Sequence, residues 1–475
     1  MAFWTRYGLA FVALTACGGE GDDTGATTGT SLTSTMTMAT MTAPGMTSSA
    51  TDTDTDSTTT TGGTTVEPTT VEPTTTSTGP ACVDGEEGCP CLPLATCLGG
   101  LTCIAEVCVG EDTDTATTDA PPALCGDGQP APGEVCFKPF TPLGMGSGPI
   151  SVAVADFNKD GNLDVACANN MTNNMTVRTG KGDGGFNALS ALGVGMGPYS
   201  AAAPDLNNDG APDLVTANAT SNDISVYQNN GAGMLVGQPA IPAGGFARHI
   251  VATNLNGDDY DDLVVANYMD NTLTVLVSDG VGFPAPAVVG VGAGPTWVGV
   301  ADMNGDGSLD LVSADYGASS LSVSLGNGVG NFGPPTSSPA GGQVYAVGVA
   351  DLNGDGDTDA VVTVPAAGQV FVLQGNGLGG FGGAIPYPCG ADPIGLVLHD
   401  ISGDGTLDLV VANRGANTVS VLRGNGNGGF GTPEPFAVGM APYVVATGDF
   451  NKDGAVDLVT ANNGDSTVSI LLADP

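Results

Sequence analysis

Positive charge is what this 475-residue chain has least of: nine Lys and Arg stand against 50 Asp and Glu, a formal net charge of −41. That balance repels nucleic-acid phosphate, and no basic stripe offsets it, so nucleic acid is excluded as a partner. Histidine is scarce too. His249 and His399 are the only two, and neither stands in a GxSxG, HExxH or P-loop context. Long apolar runs are missing as well, since the one near the N-terminus is too short to span a bilayer unaided.

Acid is abundant, and it is patterned. One nine-residue loop is written seven times, with starts 49, 49, 48, 49, 49 and 49 residues apart. The copies are DFNKDGNLD, DLNNDGAPD, NLNGDDYDD, DMNGDGSLD, DLNGDGDTD, DISGDGTLD and DFNKDGAVD. Positions 1, 3, 5 and 9 are Asp156, Asn158, Asp160 and Asp164 in the first, then Asp205, Asn207, Asp209 and Asp213 in the second. Asn254, Asn256, Asp258 and Asp262 follow, then Asp302, Asn304, Asp306 and Asp310. The fifth holds Asp351, Asn353, Asp355 and Asp359, and the sixth Asp400, Ser402, Asp404 and Asp408. Asp449, Asn451, Asp453 and Asp457 complete the set.

Hard Ca²⁺ takes six to eight oxygens, so a short loop must turn sharply to aim several at one point. Alternating Asp and Asn does this, Gly at position 6 permits the turn, and the Asp at position 9 can bind through both oxygens. An EF-hand would need twelve residues, a closing Glu and flanking helices. Here the flanks, SVAVAD and DLVVAN, read as strands. Turn chemistry without metal is the alternative for any single copy. Seven copies that keep an acid at positions 5 and 9 favour metal, up to seven structural Ca²⁺. Asn254, Asp259 in place of Gly, and Ser402 mark the third and sixth loops as weaker sites. Residues 137–475 carry 32 acids and 8 bases, a net of −24, and 23 of those acids lie in the loops. Without cations such clusters repel one another and oppose compaction.

Each period reads as four short strands, the unit of a β-propeller blade. The fold expected is therefore all-β, a seven-bladed propeller over residues 137–475. The last repeat stops one strand short at STVSILLADP, while FKPFTPLGMG after Cys136 looks like an unattached fourth strand that closes the ring. The pattern VAVADFNxDGxxDLVVAN…GNGxGxF resembles the FG-GAP/VCBS repeat family, which includes the integrin α-subunit propellers. The resemblance implies the fold. It leaves function open, because one propeller hosts many activities.

Residues 1–17 read as a lipoprotein signal peptide, LTAC resembling a lipobox whose Cys17 is acylated. Outer-membrane anchoring is implied by analogy, with plain secretion as the alternative. Residues 18–81, rich in Thr, Ser, Asp and Gly, cannot bury enough surface to fold and read as a stalk reaching roughly 45 Å as a coil. Residues 82–136 hold Cys82, Cys89, Cys91, Cys97, Cys103, Cys108, Cys125 and Cys136, up to four disulfides of open connectivity. CGDGQPAPGEVC resembles modules of myxobacterial surface proteins. Cys167 and Cys389, in different blades, are expected to be buried free thiols.

Strand 1 of each blade runs into the acidic loop and strand 2 returns, so residues before strand 1 and after strand 2 share the opposite face. Tyr199, Arg248, Trp297, Tyr345 and Tyr443 stand before strand 1 at matching positions or one residue on, while Ile150 and Ile394 hold two of the same positions. Tyr268, Tyr316 and Arg414, with Asn267 and Asn413, follow strand 2. Rings with amides and guanidinium groups suit a glycan or protein ligand. The other reading of the same residues is a plug for the channel mouth. The expected role is a non-catalytic, monomeric recognition module. A carbohydrate-active enzyme, as in the family's polysaccharide lyases, and a passive envelope protein are the alternatives.

Overall fold

The computed structural model describes residues 102–104, 107–109, 135–231 and 233–474. The signal, Cys17, the stalk and most of the cysteine-rich region lie outside the described residues. Within that region, Thr102–Ile104 pairs antiparallel with Val107–Val109 in a unit of its own, with Cys103 opposite Cys108 in the register.

From residue 135 onward the chain makes seven antiparallel sheets, six of four strands and one of five, and within each blade the first three strands pair in sequence order. Blade 1 is Pro149–Ala155, Asp164–Asn169, Asn174–Arg178 and Ser190–Gly193. Blade 2 begins at Pro198–Ala202 and Leu214–Asn218, and its outer strand is split into Leu235–Gly237 and Ile241–Pro242, both on Asp223–Asn229. The first strands of blades 3 to 7 are Ala247–Thr253, Pro295–Ala301, Val347–Ala350, Pro393–His399 and Pro442–Gly448. Each first strand touches the first strand of the next blade, and that of blade 7 touches that of blade 1. The seven therefore ring the axis.

Burial follows from this stacking. Second strands such as Asp262–Asn267 are buried at every residue, because a neighbouring blade covers each face. Outer strands such as Glu434–Ala437 are buried at none. Apolar area removed from water between blades is the main favourable term. The one helical piece among the described residues is a 3₁₀ turn, Pro365–Ala367, after the second strand of blade 5.

Closure is as expected. Thr141–Gly144 supplies the outer strand of blade 7, in register Thr141↔Ile470 to Gly144↔Thr467 against Thr467–Leu471. Lys138 N donates to Leu472 O at 2.8 Å and Asp474 N to Cys136 O at 2.9 Å. From blade 1, Arg178 donates Nε and Nη2 to Gly144 O at 3.0 and 2.7 Å. Cys136 is disulfide-bonded. Cys167 and Cys389 are free and buried, and burial pushes the Cys389 thiol up to about 12.

Candidate functional site

The acidic loops end the first strands on one face of the ring, here the lower face. In the first, Asp156 accepts the amides of Asp160 and Gly161 at 3.1 and 2.7 Å. Asn158 Oδ1 accepts Asp160 N, its Nδ2 donates to Asp160 Oδ2, and Asp160 Oδ1 accepts Asn162 N. Gly161 has φ +85°, which only glycine adopts cheaply. The arrangement repeats with small changes in the other loops. In the third, Asn254 turns its amide nitrogen onto the Asp258 carbonyl, presenting a donor where the others present a carboxylate oxygen. Ser402 of the sixth is buried.

Position 9 holds a role that the spacing did not show. Asp164 is fully buried and accepts Phe157 N at 2.9 Å and Gly180 N at 2.8 Å. It thereby ties the end of its first strand to the end of its third. Asp213 does this with Leu206 and Asn229, and Asp262 with Leu255 and Ser278. Asp310 holds Met303 and Gly326, and Asp359 holds Leu352 and Gly375. Asp408 holds Ile401 and Gly424, and Asp457 holds Phe450 and Ala473. Adjacent loops are also stitched together: Lys159 Nζ donates to Asp209 O at 3.2 Å, and Asp261 accepts Asp205 N at 2.9 Å.

Burial, and then repulsion from the acids at positions 1 and 5, lifts Asp164, Asp213 and Asp457 to about 6, and the same causes raise Asp310 and Asp359. Among the described residues no three His, Cys, Asp or Glu side chains gather as a ready metal cluster, since the loop acids face backbone amides. Apart from the Asn254 amide nitrogen, the loop side chains nonetheless present hard oxygens, and their carboxylates carry unneutralised, mutually repelling charge. That chemistry fits a divalent cation such as Ca²⁺ better than a soft one.

On the upper face each first strand but that of blade 5 opens with a register shift. Ile150, Tyr199, Arg248, Thr296, Ile394 and Tyr443 sit in the shifts, and Tyr345 holds the equivalent place, its N donating to Thr363 O. The bulge re-aims these side chains inward. All seven are buried. The Arg248 guanidinium lies 4.5 Å from the Tyr268 ring centre, 5.5 Å from those of Tyr199 and Tyr345, and 5.7 Å from that of Phe246. One cation from blade 3 thus meets rings of blades 2 and 5, so the set fills the mouth of the channel. Phe246 was not apparent from the sequence.

Three expectations are corrected here. Trp297 lies one residue past the bulge, so its side chain turns into the blade. It is 0% exposed and stacks on His249 at 4.3 Å with 16° between planes. Asn267 and Asn413 are internal braces: each is buried and donates Nδ2 to Thr272 and Thr274, or to Thr418 and Ser420, of its own third strand. Arg414 is half-buried and committed, donating Nε to Asp392 at 2.6 Å and Nη1 to Tyr443 Oη at 2.9 Å. His249 accepts Val298 N on Nδ1, and burial holds its pKa down to about 3. His399 is half-buried with Nδ1 3.0 Å from Thr447 Oγ1.

Blade 4 departs from the brace. Where five blades have Asn, it has Asp315, fully buried, accepting Ser313 and Ser322 hydroxyls. Desolvation lifts this carboxyl to about 6. A raised folded pKa means that the folded state prefers the proton: the penalty is absent below about 4 and complete above about 6. Asp315→Asn is expected to stabilise by up to about 3 kcal/mol at pH 7 and by little at pH 4. Blade 7 is the template, where Asn462 accepts from Thr460 and donates to Ser469. Paired melts at the two pH values check this; equal gains at both would remove the buried charge as the cause.

A recess of about 180 Å³ lies between blades 2 and 3, where the split outer strand leaves Gln228, Ile241 and Phe283 around it. Its lining holds no acid or histidine.

The sequence profile of the FG-GAP-like repeat matches residues 156–216, 205–265, 254–313, 302–362, 351–411 and 400–460. No curated protein matches the chain. Among solved structures, BBS1N, crystallised in complex with ARL6DN, is similar with TM-score 0.53 and 14% identity, over 71% of this chain and 97% of that one. That likeness concerns the fold alone. An Agrocybe aegerita lectin recognising non-reducing terminal N-acetylglucosamine has TM-score 0.46 and 19% identity, over 72% and 87% of the two chains. The Pseudomonas aeruginosa periplasmic gluconolactonase has TM-score 0.47 and 17% identity, over 62% and 86%. These two scores are too low to inform function.

Proposed function

The chain belongs to the FG-GAP-like repeat family, and on that basis we propose that it is a calcium-binding recognition module, non-catalytic, anchored at the bacterial surface through Cys17. The loop residues named above would hold up to seven Ca²⁺. When bound, the ions neutralise the clustered carboxylates; the chain's own residues form the loops and tie the strands.

One observation carries the recognition reading. The lower loops repeat nearly unchanged, whereas the turns on the upper face differ in every blade: NMTN, ATSN, YMDN, YGAS, PAAG, RGAN and NGDS. A rigid repeated scaffold carrying diverse exposed turns is how binding surfaces are commonly built. The buried plug moves the contact surface outward, from the central rings to these turns.

The test is to incubate residues 82–475 with a panel of polysaccharides in millimolar calcium, following both retention of polymer and new chain ends. Retention of intact polymer is expected if the ligand is a glycan. New reducing or unsaturated ends would replace recognition by the carbohydrate-active reading. If no polymer is retained or cut, the glycan is excluded and a protein ligand or a passive envelope role is left.

A further inference from the structure

Of the eight methionines in residues 135–474, only Met175 and Met303 are buried. Four of the rest lie together by topology. Met171 and Met269, 68% and 66% exposed, sit in the upper turns after the second strands of blades 1 and 3. Met196 and Met440, 55% and 57% exposed, lead into the first strands of blades 2 and 7. Half-buried Met145 leads into blade 1. These blades, 7, 1, 2 and 3, are consecutive around the ring, and blades 4 to 6 place no methionine on that face. A single exposed apolar residue is ordinary; an array confined to one sector of one face is not. Thioether side chains are flexible and polarisable, and suit adaptable apolar contact.

Charge on the sector has one sign. Asp465 accepts Met440 N at 2.8 Å. Asp223 accepts a hydrogen bond from the Ser221 hydroxyl, whose Oγ accepts Met196 N at 3.0 Å. Asp270 adjoins Met269 and accepts Gly245 N at 2.6 Å. All four lysines of the chain, Lys138, Lys159, Lys181 and Lys452, are at the lower ends of strands or in lower turns. The two upper-face arginines are engaged, Arg248 among rings and Arg414 by Asp392.

We propose that the upper sector of blades 7, 1, 2 and 3 docks a cationic amphipathic helix of a partner protein. Its apolar side lies on Met171, Met196, Met269 and Met440, and its Lys or Arg meet Asp223, Asp270 and Asp465. The proposal rests on recognition at the upper face and names the class of partner. A second copy of this chain is a poor occupant, having nine bases in all. A sugar would want open ring faces, and here the Tyr199, Tyr345 and Tyr443 rings are buried and those of Phe246 and Tyr268 half-buried.

The test is fluorescence anisotropy of a labelled Leu/Lys model helix with the full chain in millimolar calcium, against an all-Lys peptide and a Leu/Glu helix. The Leu/Lys helix is expected to bind tighter than either. Replacing all four exposed methionines (M171Q, M196Q, M269Q, M440Q) is expected to weaken it at least about tenfold, or ~1.4 kcal/mol, with the melting temperature unchanged. V281S with L378S, apolar tips on the lower face, is expected to leave binding as it was. Equal binding of the all-Lys peptide, or an unaffected quadruple variant, would overturn the proposal. A retained polysaccharide beside a helix that does not bind would sink this inference and leave the recognition reading standing.

Discussion

Asp457→Ala is expected to lower the melting temperature in excess EDTA as well as in calcium. The side chain is fully buried and takes two buried amides, Phe450 N at 2.8 Å and Ala473 N at 2.7 Å. Leaving each unpaired costs about 1–3 kcal/mol, so the loss is roughly 2–6 kcal/mol. Removing a carboxyl that burial has lifted to about 6 offsets part of this and favours the lower end. Asp453→Ala, at an exposed position 5, separates the two roles. It is expected to melt near the wild type in EDTA and below it in calcium. The wild type itself is expected to melt higher in calcium than in EDTA, and an unmoved transition would remove calcium from the account. If Asp457→Ala matches the wild type in EDTA, water has reached the two amides and the position-9 tie is unimportant.

The second large effect concerns closure. A chain beginning at Met145 lacks the outer strand of blade 7 and frees the edge of Thr467–Leu471. It loses the four-residue ladder, the Arg178 grip on Gly144 O, and Phe137 packed edge-on to Phe436 at 5.0 Å. The cost is on the order of 5 kcal/mol or more, a large share of an ordinary domain's stability. An open edge also invites pairing between chains. Size-exclusion profiles are expected to show dimers or aggregates for this chain and a monomer for one beginning at Phe137. A peptide spanning 137–148 is expected to restore the monomer. A chain from Met145 that stayed monomeric with an unshifted melt would show that the ring does not need its last strand.

Much of this architecture was legible, because it is written as local spacing. The interval of 49 residues, strands on both sides of each loop and a missing last strand together specify seven blades and their closure. What stayed hidden depended on phase. The bulge positions recur at the same interval as the loops, from Ile150 to Tyr443, yet spacing alone does not say whether a bulged side chain faces solvent or the axis. One residue separates Thr296 in the bulge from Trp297 in the blade interior, and that step reverses the side chain. Asn267 and Asn413 looked like surface amides, although Thr or Ser five and seven residues on was a signal for an internal brace. The position-9 aspartates were legible as oxygens and not as ties, since their amide partners lie seven residues back and sixteen ahead.

The closed seventh blade also decides how the molecule would carry force. The chain enters the propeller through the strand that joins blade 7 last, and the final strand, Thr467–Leu471, is the one it joins. Any pull from the N-terminal side therefore loads the Cys136 and Lys138 bonds to Asp474 and Leu472, then Thr141–Gly144 and the clasp of Arg178 from blade 1. Tension would peel that strand from the rim one bond pair at a time, sharing load with blade 1 through Arg178. The rim of blade 7 is thus a mechanical fuse, and what it releases is an adhesive edge.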